Sequence, residues 1–355
     1  MLFSYCYVPH SIERFQIWLD HLVKEVWCKA TGDFTIDLLH EGLRQIVLII
    51  ADDNTTKLKL FEPIRDIFDL FKSLTDDQRV QFGKWHDANN NIEALCGNLP
   101  DQQPITYAEV ALINGELAEH LKAFYNDIWG RVLDLQAVKK KIGTIDEHYR
   151  AFVKENNEDR CPYCGYGYIK GQYQTKREAY DHFLPKGTYP FNSVNFRNLA
   201  PICYECNSSY KLARDPTRHL DPISRRNTGQ RRKAFYSYAT VSPDISISLT
   251  LKTTDIDKLR PIDIELAFTA PGRGEELEAW KEVFGIEERF KAKCCGKNDG
   301  KYWLRQVIDE CINAGKTAQE ILNKIKENAR ATPWAECNFL KSPFLQACDQ
   351  AGLIQ

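Results

Sequence analysis

Large apolar side chains recur at helical spacing in the first 145 residues. Two such stripes are Phe15, Trp18, Leu19, Leu22 and Val26, and then Leu121, Phe124, Ile128, Val132 and Leu135. Steps of three and four residues predict amphipathic helices over 11–27 and over 121–141, with Ser11 as a cap of the first. The polar stretch 87–103 is rich in Asn and contains Pro100, which predicts a loop. Residues 1–145 are therefore predicted to form a mainly helical N-terminal region.

The last third of the chain shows both the two-residue period of strands and the three- to four-residue period of helices. Apolar and polar residues alternate over 245–251, and large apolar residues recur at every second position over 262–268, which predicts two half-buried strands in a hairpin or small sheet. Helical patterns follow over 274–291, 302–314 and 317–329, and Thr317 with Glu320 forms a capping box before the last. The predicted fold class is α+β, with strands and then helices in a C-terminal region, 236–355.

Composition restricts the class of protein. The chain has 355 residues, of which 43% are hydrophobic and 27% charged, as in a globular protein of two or three domains. It has no apolar run of membrane-spanning length, and its N-terminus lacks the pattern of a signal peptide. We therefore expect a cytoplasmic protein with no membrane partner, whose cysteines are reduced.

The middle of the chain is basic, although the whole chain has a formal net charge of only −2. Residues 150–233 contain 16 Lys and Arg against 8 Asp and Glu, whereas the remainder contains 31 basic and 41 acidic residues. Such a distribution predicts a polyanion site in the middle region. A solvated basic surface gives the same composition, so charge alone leaves both interpretations open.

Four of the twelve cysteines form two CxxC pairs, Cys161 with Cys164 and Cys203 with Cys206. Two such pairs can place four thiolates around one zinc ion, and four protein ligands fill its coordination sphere. The pairs therefore predict a structural zinc site that brackets the 38 residues between them. Coincidental cysteines or two separate redox motifs are the alternative. The other eight cysteines lack metal-type spacing and are predicted to be ordinary thiols.

A polar motif stands inside this bracket. Asp181 and His182 are followed by Pro185 three residues after the His, by Asn198 after 16 residues, and by Asn207 nine residues further on. With the two CxxC pairs around it, this pattern resembles the HNH endonuclease motif in its zinc-containing form. The resemblance covers about 149–221, roughly a fifth of the chain.

The resemblance implies a fold and a set of roles for the central region, 146–235. The fold is a ββα-metal unit, two short strands followed by a helix. Asp181 and Asn207 would bind a catalytic Mg²⁺ or Mn²⁺, because carboxylate and amide oxygens suit hard cations. His182 would be the general base, since a neutral imidazole can accept a proton from water at neutral pH. Asn198 would orient that imidazole.

Basic residues after the motif are the predicted phosphate contacts. The resemblance gives this role to Lys211 and Arg214, although Lys211 stands four residues after Asn207, one more than the usual spacing. A later run is either a phosphate-tracking strip or a solvated linker: Arg225, Arg226, Arg231, Arg232 and Lys233.

The function that follows from the resemblance is metal-dependent hydrolysis of phosphodiester bonds, with DNA as the expected partner. A zinc-stabilised nucleic-acid-binding module without cleavage and an RNA-directed nuclease remain alternatives. The motif is also similar to the HNH subunits of bacterial anti-phage systems such as Septu, which act with an ATPase partner. The chain has no P-loop of its own, since position 310 is Glu where the motif needs Gly. The flanking regions are predicted to dock a partner, to oligomerise or to hold the nuclease inactive.

Overall fold

The computed structural model describes residues 1–50 and 60–354. It is mostly helical and contains three two-stranded antiparallel sheets within the described residues. The α+β prediction is confirmed at this level. Among the helices of the same residues, none is both long and apolar enough to cross a membrane.

The N-terminal region is helical, as predicted. Its helices are α1 (Arg14–His21), α2 (Glu41–Ile49), α3 (Phe61–Lys72), α4 (Asp76–Asn90), α5 (Ile92–Cys96), α6 (Tyr107–Ile113), α7 (Gly115–Gly130), α8 (Gln136–Ile142) and α9 (Ile145–Asn156). A π-helical turn, Leu22–Trp27, extends α1. Capping boxes begin α4, α6 and α9 at Thr75, Thr106 and Thr144. Each box satisfies backbone N–H groups that have no partner within the helix.

The predicted loop over 87–103 is wrong in its first half, because α4 and α5 run through it. Asn89 and Asn91 in this half have tertiary and capping roles, whereas Asn98, after α5, lies in a turn with φ +52°. Asn91 accepts a hydrogen bond from Ala94 N at the start of α5. The buried Asn89 amide donates to the carbonyls of Ile105 and Pro190, at 2.9 and 3.0 Å. A local composition rule cannot distinguish these uses from a loop.

The central region contains two short hairpins. Strands β1 (Tyr180–His182) and β2 (Leu199–Pro201) pair antiparallel with Asp181 opposite Ala200. A π-helical segment, Cys206–Lys211, follows directly. Strands β3 (Arg218–Leu220) and β4 (Asn227–Arg231) form the second hairpin. The order strand, strand, helical segment is therefore present, while its equivalence to a ββα-metal unit stays a prediction.

The C-terminal region has the predicted hairpin followed by helices. Strands β5 (Ser246–Leu251) and β6 (Ile264–Thr269) pair along their full length. The helices are α10 (Gly274–Phe284), α11 (Ile286–Cys295), α12 (Gly300–Ala314), α13 (Ala318–Ala331) and α14 (Asn338–Gln350). The predicted single helix over 274–291 is divided at Gly285, which has φ +59° and packs against the Tyr210 ring, where a Cβ would collide at 2.3 Å.

Buried apolar side chains from all three regions form one continuous cluster, which includes Leu19, Leu199 and Leu340. The N-terminal segment crosses the central region on its way to α1. Leu2 N donates to Pro162 O at 2.7 Å, and Tyr5 N donates to Ser237 O at 2.9 Å. The boundaries predicted at 145 and 235 remain predictions, and the regions share a core.

Candidate functional site

The two CxxC pairs meet in one buried cluster. The Sγ atoms of Cys161, Cys164, Cys203 and Cys206 all lie within 4.8 Å of one another. The Cys164 and Cys203 sulfurs are 3.8 Å apart. Zinc–sulfur bonds of about 2.3 Å in a tetrahedron separate the sulfurs by about 3.8 Å. The donor set therefore fits a zinc ion, with no ligand position left for chemistry.

The first CxxC pair stands on a tight turn closed by backbone hydrogen bonds. Cys161 N donates to Gly167 O, and Gly165 N donates to Cys161 O, each at 2.8 Å. Gly167 N donates to Cys164 Sγ at 3.2 Å. A Cβ on Gly167 would lie 2.5 Å from Cys203 Sγ. Glycine is required there because the turn passes directly against the second pair of thiols.

Arg289, on α11, contacts the thiol cluster from outside. Its Nη1 lies 3.1 Å from Cys206 Sγ, and its Nη2 lies 2.7 Å from Glu205 Oε2. Nε donates to the Tyr166 hydroxyl at 3.0 Å. Burial lowers the pKa of Arg289, but the neighbouring thiols of Cys206 and Cys164 raise it further, to a net value above the ordinary one. The guanidinium thus balances part of the negative charge that four thiolates bring into the interior. No motif marked this residue.

Asp181 and Lys211 form a buried ion pair. Lys211 ends the π-helical segment that begins at Cys206. Lys211 Nζ lies 3.0 Å from Asp181 Oδ1 and donates to His182 O at 2.9 Å. The Lys211 side chain is 0% exposed and the Asp181 side chain is 5% exposed. Asp181 Oδ2 is buried with no hydrogen-bond partner. Burial raises the pKa of Asp181, and Lys211 opposes the shift.

The unpartnered Oδ2 is a hard oxygen donor of the kind that Mg²⁺ or Mn²⁺ takes. The residues therefore fit the predicted cation at this one oxygen, while Lys211 already holds the other. Lys211 does not stand where a phosphate from solvent could reach it. The predicted phosphate contact of Lys211 is therefore wrong in this structure, because its ammonium is fully buried and pairs with the Asp181 carboxylate.

The extra residue between Asn207 and Lys211 lies in the π-helical turn. Leu212 N donates to Asn207 O at 2.9 Å, an i to i+5 bond, and Leu212 has φ +52°. The wider turn absorbs one added residue, and such turns often occur at functional sites. Asn207 is half-buried, and its amide makes no hydrogen bond to the described residues, while its role as a cation ligand stays a prediction.

His182 ends β1 with a defined tautomer. Its Nε2 lies 2.9 Å from Ser193 O, and its ring meets the Trp129 ring edge to face at 4.7 Å. A carbonyl oxygen only accepts, so Nε2 carries the proton and the lone pair is on Nδ1. Nδ1 has no hydrogen bond within the described part of the chain. Burial lowers the pKa of His182 to about 3, which keeps the ring neutral at physiological pH.

Asn198 acts on the loop rather than on the imidazole. Its side chain accepts from Leu184 N at 2.8 Å and donates to Leu184 O at 3.0 Å, closing the loop between β1 and β2. The group on the imidazole is the Ser193 carbonyl of that same loop, and the Ser193 hydroxyl donates to Tyr125 O on α7 at 3.2 Å. Asn198 therefore reaches His182 only through the loop it closes. Sequence analysis missed Ser193 because a backbone carbonyl leaves no residue signature.

Arg214 and most side chains of the predicted phosphate strip form hydrogen bonds or ion pairs within the protein. Arg214, half-buried, donates to the carbonyls of Tyr210 and Arg225. Arg225 and Arg232 pair with Glu282 of α10. The guanidinium of Arg231 donates to two backbone carbonyls of the N-terminal region. Of the basic residues of the run 225–233, only Arg226 and Lys233 are exposed, and a phosphate contact at these two stays a prediction.

The chain is similar to Septu protein PtuB of Bacillus thuringiensis. The two are 31% identical over 98 residues, which is 27% of this chain and 31% of PtuB. The similarity thus spans less than a third of the length of that protein. No protein-family model matches the chain. No solved structure matches it either.

Proposed function

We propose that this chain is a metal-dependent phosphodiester hydrolase of the HNH type that acts on DNA. The observation that supports this best is the state of His182, whose Nε2 is fixed by the Ser193 carbonyl while Nδ1 keeps its lone pair. The neighbouring residue is a buried carboxylate with one oxygen unpartnered. The proposed cation ligand and the proposed general base are thus consecutive residues at the end of β1.

The roles that we propose for the side chains are those that the resemblance implies. His182 Nδ1 would accept the proton of the attacking water, whose oxygen bonds to phosphorus as the bond to the leaving sugar oxygen breaks. An anionic phosphate next to the ring would raise its basicity. Asp181 and Asn207 would hold Mg²⁺ or Mn²⁺. When bound, such a cation stabilises the charge that develops on the phosphate and the leaving oxygen.

A zinc-stabilised nucleic-acid-binding module that does not cut is the second candidate. The buried Lys211–Asp181 pair favours it, because the ammonium neutralises the carboxylate that a cation would use. A chain that had lost its metal chemistry could keep such a pair. The thiol cluster and the basic central region serve binding equally well.

The similarity to a Septu protein supports a role in anti-phage defence. We extend the proposal to an ATPase partner on a separate chain, since this sequence carries no P-loop. An ATPase that co-purifies with the natively expressed protein would support the proposed partner. If the purified chain cuts DNA without any partner, the role of the ATPase is limited to regulation.

The test is plasmid cleavage with Mg²⁺ or Mn²⁺ by wild type and by His182→Ala. Loss of a general base is expected to slow nicking by about 10²- to 10⁴-fold. His120→Ala, a change to a half-buried histidine on α7, serves as the matched control and should cut like wild type. Zinc content and circular dichroism must be equal in all three. DNA binding without cutting under any divalent cation would establish the binding module instead, and preferential cutting of RNA would change the substrate.

A further inference from the structure

A cavity of about 660 Å³ opens against the loop between β1 and β2, which begins after His182. It lies between α6, α7, the loop after Pro185 and the β3–β4 hairpin. The residues that matter for its chemistry are Gly115, Glu119, Lys122, Gly187, Arg218 and Gly229. We call this space the α7 cleft. Its volume is within the range of ligand pockets in proteins.

Three glycines expose backbone in the wall of the cleft. A Cβ added at Gly115, Gly187 or Gly229 would meet nothing within 4 Å, and none of the three has a positive φ. The backbone conformation therefore does not require glycine at these positions. What the three glycines leave is room in which a ligand can approach the main chain closely.

The cations at the cleft are arranged for an anion. Arg218 donates through Nε to the Tyr189 hydroxyl at 2.9 Å and through Nη1 to Gly229 O at 3.2 Å. These bonds fix the guanidinium, while Nη2 makes no hydrogen bond within the described residues. Lys122 is exposed and has no ion pair in that part of the chain. The buried Asp215 carboxylate, 3.5 Å from Arg218 Nε, already balances part of that guanidinium's charge. The free Nη2 edge of Arg218 and the unpaired Lys122 ammonium can still hold a phosphate between them, which Glu119 opposes in part.

One face of α7 connects the cleft to His182. Lys122, Asn126 and Trp129 follow at steps of four and three residues, so they share that face. Lys186 Nζ donates to Asn126 Oδ1 at 2.6 Å, and the Trp129 ring packs on the imidazole. The helix rises about 10 Å from Lys122 to Trp129. A stacked nucleic-acid strand covers that length in about three nucleotides.

We propose that the α7 cleft binds the substrate strand about three nucleotides from the phosphate that His182 faces, with a nucleoside in the cavity and phosphate on Lys122 and Arg218. This inference rests on the proposed function and gives the N-terminal helical region a role in substrate binding. A polypeptide segment of a partner is the alternative occupant, and in that case changes at the cleft leave DNA affinity unaltered.

The experiment measures the affinity of a fluorescent single strand and of the matching duplex for the full-length His182→Ala protein. Lys122→Ala in that background should weaken binding about two- to fivefold, as expected for one exposed charge pair. The slope of affinity against salt should fall by about 0.7 for the lost phosphate contact on a single strand. Glu119→Gln should tighten binding. Lys326→Ala, at an exposed lysine of α13, is the matched control and should leave the affinity unchanged.

A second variant fills the space. Gly229→Tyr places a ring where no atom lies within 4 Å of the new Cβ, so the thermal midpoint should stay at the parent value while strand binding falls. In the cleaving protein the same change should raise KM more than it lowers kcat. Wild-type affinity in both Lys122→Ala and Gly229→Tyr would overturn the inference while leaving cleavage intact. If these two variants bind more weakly but the wild-type protein never cuts DNA, the proposed reaction is refuted and the cleft remains a binding site.

Discussion

Replacing Lys211 by Met tests how the buried carboxylate is held. Met keeps the unbranched chain in a site with no exposed surface, but it removes the ammonium that lies 3.0 Å from Asp181 Oδ1 and 2.9 Å from His182 O. Breaking a buried ion pair by removing one partner leaves an uncompensated charge. The expected loss in the free energy of unfolding is about 3–5 kcal/mol, less whatever Asp181 recovers by taking up a proton.

The same change should make the protein respond to divalent cations. Both oxygens of Asp181 are then open to Mg²⁺ or Mn²⁺, and a cation that binds only the folded state stabilises it by about 2.7 kcal/mol at a hundredfold excess over its Kd. Wild type should respond less, because Lys211 occupies one of the two oxygens and its positive charge repels the cation. Urea unfolding with and without Mn²⁺, on samples of equal zinc content, measures both effects.

The double variant Lys211→Met with Asp181→Asn is the control. It removes both charges, so it should be more stable than the single variant and should not respond to Mn²⁺. The reasoning is refuted if Lys211→Met unfolds at the wild-type urea concentration. It is equally refuted if Mn²⁺ raises the free energy of unfolding of the double variant as much as that of the single variant.

Three further predictions concern the thiol cluster and a buried histidine. Arg289→Gln should lower zinc affinity about 10- to 100-fold in chelator competition, as the loss of a group next to metal ligands does, whereas Arg305→Gln on the exposed face of α12 should not. Gly167→Ala should yield protein with less than one zinc per chain by metal analysis, because the new methyl would overlap Cys203 Sγ. Burial lowers the pKa of His148 to about 4, so the unfolded chain binds a proton below about pH 6.5 that the folded chain refuses. The wild-type free energy of unfolding should therefore drop by about 3 kcal/mol between pH 6.5 and 4 through this group, and His148→Gln should lack that drop in urea titrations at each pH.

Local patterns were enough for the features whose physics is local. The spacing of the two CxxC pairs determined a four-thiol cluster, because each pair can present both thiols from one turn. The period of two over 245–251 and 262–268 indicated the β5–β6 hairpin, since it directs one face of each strand toward the core. Helical periods indicated α1, α7, α12 and α13, and the capping box marked the start of α13. The helix predicted over 121–141 is interrupted, since α7 ends at Gly130 and α8 begins at Gln136. The Asn-rich stretch failed because Asn89 serves a partner about a hundred residues away, at Pro190.

The chemical state of the site was decided by contacts between distant segments. A π-helical turn carries Lys211 inward onto Asp181, 30 residues earlier in the chain. The tautomer of His182 depends on a backbone carbonyl, at Ser193, which has no residue signature in a sequence. Arg289 reaches Cys206 across 83 residues because α11 packs on the thiol cluster. The sequence by itself determined which groups the chain possesses near its motif, and the tertiary structure decided which of them are buried, paired or left open, because burial and pairing depend on the packing of segments that no local period relates.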